Sequence, residues 1–297
     1  MFTSSTMSRQ FTRLIRFLGT DSKVYFGDAI LPSGVKDARL ATEAYLIGGD
    51  IFGSYTVTDT KVGISKLLSP LNDAHTRTVR FVGMNYGKHA DELGLPRPQY
   101  PVLFFKPVTA LNGPTEDVIV PRIAQATDAT DYECELVVVI GKRCRDVNKK
   151  EALDYVLGYS CGNDLSQRTW QTERGGGQFS LGKMYDGWAP FGPAIVSPKL
   201  AGNPDNLKLS TKVNGEIVQD ADTTDMIHKV ADVVSFYSQG STLMPGDLIF
   251  TGTPFGVAAG RNPHNWLKDG DVVEIEVENL GTLKNKIVFE KGEKPKL

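Results

Sequence analysis

Leu136-Val137-Val138-Val139-Ile140 follows without a break on Glu133-Cys134-Glu135. An apolar run this short and this pure is read as a strand buried on both faces. Alternate side chains of a strand share a face, so Glu133 and Glu135 are expected together, with Cys134 on the other side. Two carboxylates carried into an interior repel each other and lose hydration, and a bound cation is one remedy. Asp164, after the largely apolar stretch 155–161, can add a third carboxylate. Three oxygen ligands without His or Cys favour a hard ion: magnesium first, then manganese or calcium. Taken alone, two acids at this spacing are more often found on a solvated edge strand, and Cys134 reads as a core residue.

The rest of the chain supplies the frame. Its 297 residues, 40% hydrophobic and 23% charged, suit one large domain with a small companion. The boundaries read as a loose tail over 1–11, a small N-terminal β-rich domain over 12–73 and a larger domain over 74–297. Strands are expected at 12–18, 79–83, 102–105, 136–140, 247–251, 273–277 and 283–289. Helices are expected at 86–93, 151–155, 164–173 and 224–237. Many strands, few helices and Gly/Pro turns make a β-rich α+β fold. A net charge of -2, from 33 basic and 35 acidic residues, shows no nucleic-acid footprint. No apolar run reaches the length of about eighteen that a membrane helix needs. Three cysteines fit no zinc spacing and read as free thiols in a reducing compartment. Arg9, Arg13 and Arg16 precede the first acid, Asp21. This is read as a loose tail leading into a strand in a cytoplasmic protein. A weak mitochondrial presequence, a matrix location and Met7 as an alternative start are kept as alternatives.

Four further groups carry chemistry. His89 and Glu92, three apart on the expected 86–93 helix, meet on one face, and a carboxylate-oriented His is a usable general base. An ordinary surface pair has the same spacing. Asp164, Arg168 and Gln171 fall at i, i+4 and i+7 of the expected 164–173 helix. There Arg168 either grips a substrate carboxylate or pairs with Asp164. Lys183 near a metal can bind an anion or move a proton, though alone it says nothing. Thr251-Gly252-Thr253-Pro254 offers hydroxyls and close backbone approach, as many plain loops do. No phosphate-binding fingerprint occurs.

Together these motifs resemble the fumarylacetoacetate hydrolase superfamily, in its domain-containing protein 2 type, from about Arg80 to Phe289. The likeness runs through Val82-Gly83-Met84-Asn85-Tyr86, Phe105-Lys106-Pro107, Asp131-Tyr132-Glu133-Cys134-Glu135-Leu136, Asn163-Asp164, Gly182-Lys183, Pro190-Phe191-Gly192-Pro193, Val213-Asn214-Gly215-Glu216, Pro245-Gly246-Asp247 and the Thr251 tetrapeptide. Cys134 departs from the usual valine. The resemblance implies a mixed β-roll core behind a small N-terminal domain, and a homodimer. It implies magnesium on Glu133, Glu135 and Asp164. His89 and Glu92 become a catalytic dyad, often on a lid, and Lys183 the active-site lysine. Arg168, Gln171, Thr253 and Tyr86 are then expected to bind a small keto acid. The implied chemistry is carbon–carbon cleavage of a 2-keto or dicarbonyl acid through a metal-bound enolate, as in acylpyruvate hydrolases or oxaloacetate decarboxylases. Oxaloacetate keto–enol tautomerisation, a secondary-metabolism reaction and a non-catalytic dimeric scaffold are the alternatives.

Overall fold

The structure is a computed structural model that describes residues 9–292. Residues 1–8, which hold most of the expected tail and Met7, lie outside the described residues, as do residues 293–297. The expected β-rich architecture is present, with parallel and antiparallel pairings mixed.

The apolar strand Cys134–Ile140 is buried at every position. It pairs antiparallel with Val156–Asn163 on one side and with Leu248–Phe250 on the other. Its two faces feed different cores. Cys134, Leu136, Val138 and Ile140 join one hydrophobic cluster, whereas Val137 and Val139 join a second with Phe81, Phe104 and Phe250. In the second cluster Phe81 stacks on Phe250 at 4.4 Å and on Phe104 at 5.0 Å. Each such ring pair adds about 0.5–1.5 kcal/mol beyond its burial.

The sheet extends outward from this strand. Val79–Gly83 lies parallel to Leu248–Phe250, and Val102–Lys106 closes that end as an edge strand. At the other end Arg13–Gly19 pairs with Ala189–Val196, so the strands within residues 13–68 continue the same sheet. A second sheet of five strands includes Lys208–Val213, Val272–Val277 and Gly281–Phe289. Among the described residues no helix is long and apolar enough to cross a membrane.

Helices depart from expectation in three places. The 224–237 helix is confined to Val230–Ser238. Met226 is instead bridged to Tyr86, and the Ile227 amide donates to the Asn85 carbonyl at 2.7 Å, so the preceding segment docks another loop rather than coiling. The 151–155 helix is one tight turn at Ala152–Tyr155. The 164–173 helix is only Arg168–Thr172, because Ser166–Gln167 pairs as a strand with Thr130–Asp131 and the Gln167 side chain caps the Trp170 amide.

Candidate active site

Strand pairing brings the three carboxylates together. Cys134 lies opposite Asn163 and Glu135 opposite Gly162, so Glu133 and Asp164 meet just past the paired region. There the Asp164 amide donates to the Glu133 carbonyl at 3.0 Å. Glu133, Glu135 and Asp164 are all buried, and each offers an oxygen within 4.8 Å of the others. Cys134, turned the other way, lies with its thiol near the Glu276 carbonyl.

Cations surround two of the three acids. Lys183 Nζ lies 3.0 Å from Glu133 Oε2 and 2.6 Å from Asp164 Oδ2. Lys106 Nζ lies 2.6 Å from Asp164 Oδ1. Arg168 reaches Glu133 at 2.6 Å and Asp131 at 2.8 Å, and not Asp164, the ion-pair partner that was one of its two expected roles. Among the described residues no ion pair reaches Glu135; its Oε2 accepts from the Gly252 amide at 2.7 Å. Four buried carboxylates (Asp131, Glu133, Glu135, Asp164) thus face three cations (Lys106, Lys183, Arg168).

The consequences for ionisation are opposite at neighbouring residues. Burial raises the Glu133 pKa, but Lys183 and Arg168 outweigh it and pull the group down to about 2. At Glu135 burial and the charges of Asp164 and Glu133 all act in one direction and push its pKa well above the usual carboxylate range. Burial lowers Lys106 to about 8 against the attraction of Asp164.

A divalent cation fits this arrangement. The donors are hard oxygens, one acid lacks a counter-charge, and a hard dication matches both facts. The Lys183 ammonium bridges Glu133 and Asp164, yet it also donates to Ser166 Oγ at 2.6 Å and so keeps an acceptor apart from the carboxylates.

His89 lies on the same cavity as Glu133 and Glu135, with Glu92 beside it. Asn85 fixes the end of the Val79–Gly83 strand by donating to the Thr251 and His228 carbonyls, and the chain then turns into the helix Gly87–Glu92. Gly94, at φ +65°, follows that helix. His89 Nδ1 and Glu92 Oε2 are 3.0 Å apart, and Glu92 Oε1 accepts from the Gly256 amide at 2.9 Å. A cavity of about 460 Å³ is lined by His89, Glu133, Glu135, Arg168, Gln171, Lys183 and Thr253, among others. Gln171 accepts from Arg168 at 2.9 Å, and Thr253 Oγ1 accepts from Gln219 at 3.0 Å. Tyr86 is different: it was expected against substrate, but its side chain is fully buried and is not on this lining. The bridge to Met226 holds its backbone against the docked 226–227 segment.

Two contributors carried no assigned role in the sequence. Asp131 accepts from Arg168 and from the amides of Ala258 and Ala259, joining the arginine to the 256–260 loop. It is two residues before Glu133, so strand alternation extended one step back would have found it. Lys106 is a cation at the end of an otherwise apolar strand, which was its signal. The loop also seats Glu92 tightly. A Cβ on Gly260 would lie 2.2 Å from Glu92 Cδ. Gly260→Ala is therefore expected to push Glu92 off His89 and the Gly256 amide. Turnover should fall about 10–100-fold, since shifts of an ångström cost that much, while cation-induced thermal stabilisation stays at the wild-type value. Unchanged turnover in this variant would show that the seat does not matter.

A β-rich fold that gathers buried carboxylates, a lysine and a His–Glu pair around one cavity defines an enzyme class, and the comparisons identify it. Residues 78–288 match the fumarylacetoacetate (FAA) hydrolase C-terminal family, and the chain belongs to that family. Within it, the chain is similar to the bovine (Bos taurus) mitochondrial oxaloacetate tautomerase FAHD2A, 42% identical over 207 residues, 70% of this chain and 65% of that protein. It thus spans just under two thirds of that relative's length. The fumarylacetoacetate hydrolase domain-containing protein 2 homolog of Dictyostelium discoideum is 43% identical over 69% of this chain and 70% of its own. The crystal structure of a 2-hydroxyhepta-2,4-diene-1,7-dioate isomerase from Mycobacterium marinum superposes with a TM-score of 0.80 at 36% identity, covering 95% of this chain and 100% of that one.

Proposed function

We propose that this chain is a magnesium-dependent enzyme that interconverts the keto and enol forms of a small 2-oxo acid of the oxaloacetate type. The observation that carries this is the His89–Glu92 pair, whose buried His89 lines the same cavity as Glu133 and Glu135 of the carboxylate cluster. Relatives named tautomerases and isomerases support proton transfer over the carbon–carbon cleavage that the sequence put first. When bound, the cation supplies Lewis acidity at the carbonyl. Glu92 holds Nδ1 of His89, which leaves Nε2 to take a proton from the carbon beside the keto group and return it to oxygen. Arg168 and Lys183 hold Glu133 in place. Gln171 and Thr253 offer polar atoms to the substrate from the wall.

We also propose a homodimer, because the edge strand Val102–Lys106 leaves Leu103 and Phe105 each 43% exposed. The names of the FAHD2 relatives lead us to place it in the mitochondrial matrix rather than the cytoplasm.

The test follows enol absorbance and carbon dioxide release from oxaloacetate, with acetylpyruvate in parallel. Magnesium should speed keto–enol equilibration, EDTA should silence it, and magnesium or manganese should restore it. Activity that EDTA leaves untouched would end the metal assignment. Carbon dioxide release or acylpyruvate hydrolysis as the main outcome would return the chain to cleavage chemistry.

A further inference from the structure

We infer that the same cavity takes arylpyruvates, 2-oxo acids with an aromatic ring where oxaloacetate carries its second carboxylate. The inference rests on the proton-transfer reading above and extends it to a new substrate class.

The cavity has two zones. Its floor is ionic, with Glu133, Glu135 and Lys183 each 5% exposed or less. Much of its wall is apolar, from Met84, Leu93, Leu95, Phe179 and Trp266, while Gln171 and Thr253 are polar points on the same lining. Phe179 meets the buried Phe104 edge-on at 5.7 Å, and the partly exposed Phe179 and Trp266 are the aromatic side chains of the lining that a substrate ring can reach. At about 460 Å³ the space falls in the range of pockets for ligands well beyond a four-carbon diacid.

Charge points the same way. Of the lysines and arginines on the lining, Arg168 is paired with Asp131 and Glu133, and Lys183 with Glu133 and Asp164. A second carboxylate therefore meets no lysine or arginine without an acid of its own. His264 is also on the lining, packed against Trp266 at 4.8 Å, and Glu173 adds a negative charge. A carboxylate against the apolar side chains loses hydration without meeting a lysine or arginine free of its own acid, whereas a phenyl ring gains by leaving water. The reaction is unchanged and balanced. One C–H bond beside the keto carbon breaks, one O–H bond forms at the enol oxygen, and no co-reactant is consumed.

The experiment compares phenylpyruvate with oxaloacetate in the presence of magnesium, by keto–enol kinetics and by calorimetric binding. Phenylpyruvate is expected to be turned over with a KM at least about tenfold lower, the scale of a small apolar group in a fitted pocket. Trp266→Ala and Phe179→Ala should each raise the phenylpyruvate KM and Kd severalfold while moving those of oxaloacetate less than about twofold. Phenylpyruvate left unconverted while oxaloacetate is converted would overturn the inference, as would equal shifts for both substrates in both variants. If neither is converted, the proposed reaction fails. Tighter phenylpyruvate binding that Trp266→Ala weakens would then still support the aromatic site, and no such binding would overturn it.

Discussion

Glu135→Gln is expected to stabilise the cation-free protein and, in the same variant, to abolish its response to magnesium. Glu135 is 1% exposed, and its only hydrogen-bond partner among the described residues is the Gly252 amide. Glutamine keeps an acceptor for that amide and removes the charge that burial and two neighbouring carboxylates oppose. Relief of one such group is worth about 1–3 kcal/mol. The sign of the pH dependence follows from the raised pKa. In the cation-free wild type the folded state holds a proton that the unfolded state releases near 4.5, so stability falls as pH rises above that value. Glu133 acts below the same point. Its depressed pKa stabilises the fold above 4.5, and that share is lost as pH falls toward about 2. The stability gain of the glutamine variant in EDTA should therefore grow with pH above 4.5. With magnesium the order reverses: wild type gains melting temperature and the variant does not. Loss of a residue that only orients a ligand costs about 10–100-fold, so loss of a ligand charge is expected to exceed a hundredfold in turnover. A variant that melts with wild-type pH dependence, or that still answers to magnesium, would remove Glu135 from the cation site.

The carboxylates were legible because strand alternation is a rigid rule. Once 136–140 is a buried strand, Glu133 and Glu135 must share a face, and the structure keeps them on the Val137–Val139 side. Helix periodicity was a weaker guide. Asp164, Arg168 and Gln171 have helical spacing, but Thr130–Asp131 captures Ser166–Gln167 in a ladder. Arg168 reaches the cluster by a different route, through Asp131. Met226 and Val233 likewise have helical spacing, but Asn85 takes up the backbone at Ile227 and His228 before a helix can form. In both cases a long-range hydrogen bond outcompeted local coiling, and nothing local in the sequence marks such a bond. Cation placement was equally hidden. Which lysine meets which carboxylate depends on the strands of 102–106 and 156–163 converging from distant parts of the chain.

His89→Gln is expected to lower kcat by about 10²–10⁴, the usual worth of one positioned acid–base group, with the magnesium-induced melting shift intact. The second half separates chemistry from ion binding, because His89 makes no bond to Glu133, Glu135 or Asp164 and is held instead by Glu92. Glu92→Gln should cost nearly as much, since an amide oxygen kept on the Gly256 N–H turns the NH2 toward Nδ1 and favours the tautomer with its proton on Nε2. The decisive comparison is the double variant. If Glu92 works only by orienting His89 and favouring one tautomer, nothing is left for it to do once the imidazole is gone. His89→Gln with Glu92→Gln should then be no slower than His89→Gln alone, the non-additivity of residues that act as a unit. Losses that simply multiply would mean that Glu92 reaches the reaction independently, through the 256–260 loop that it also holds, and the pair would cease to be a dyad.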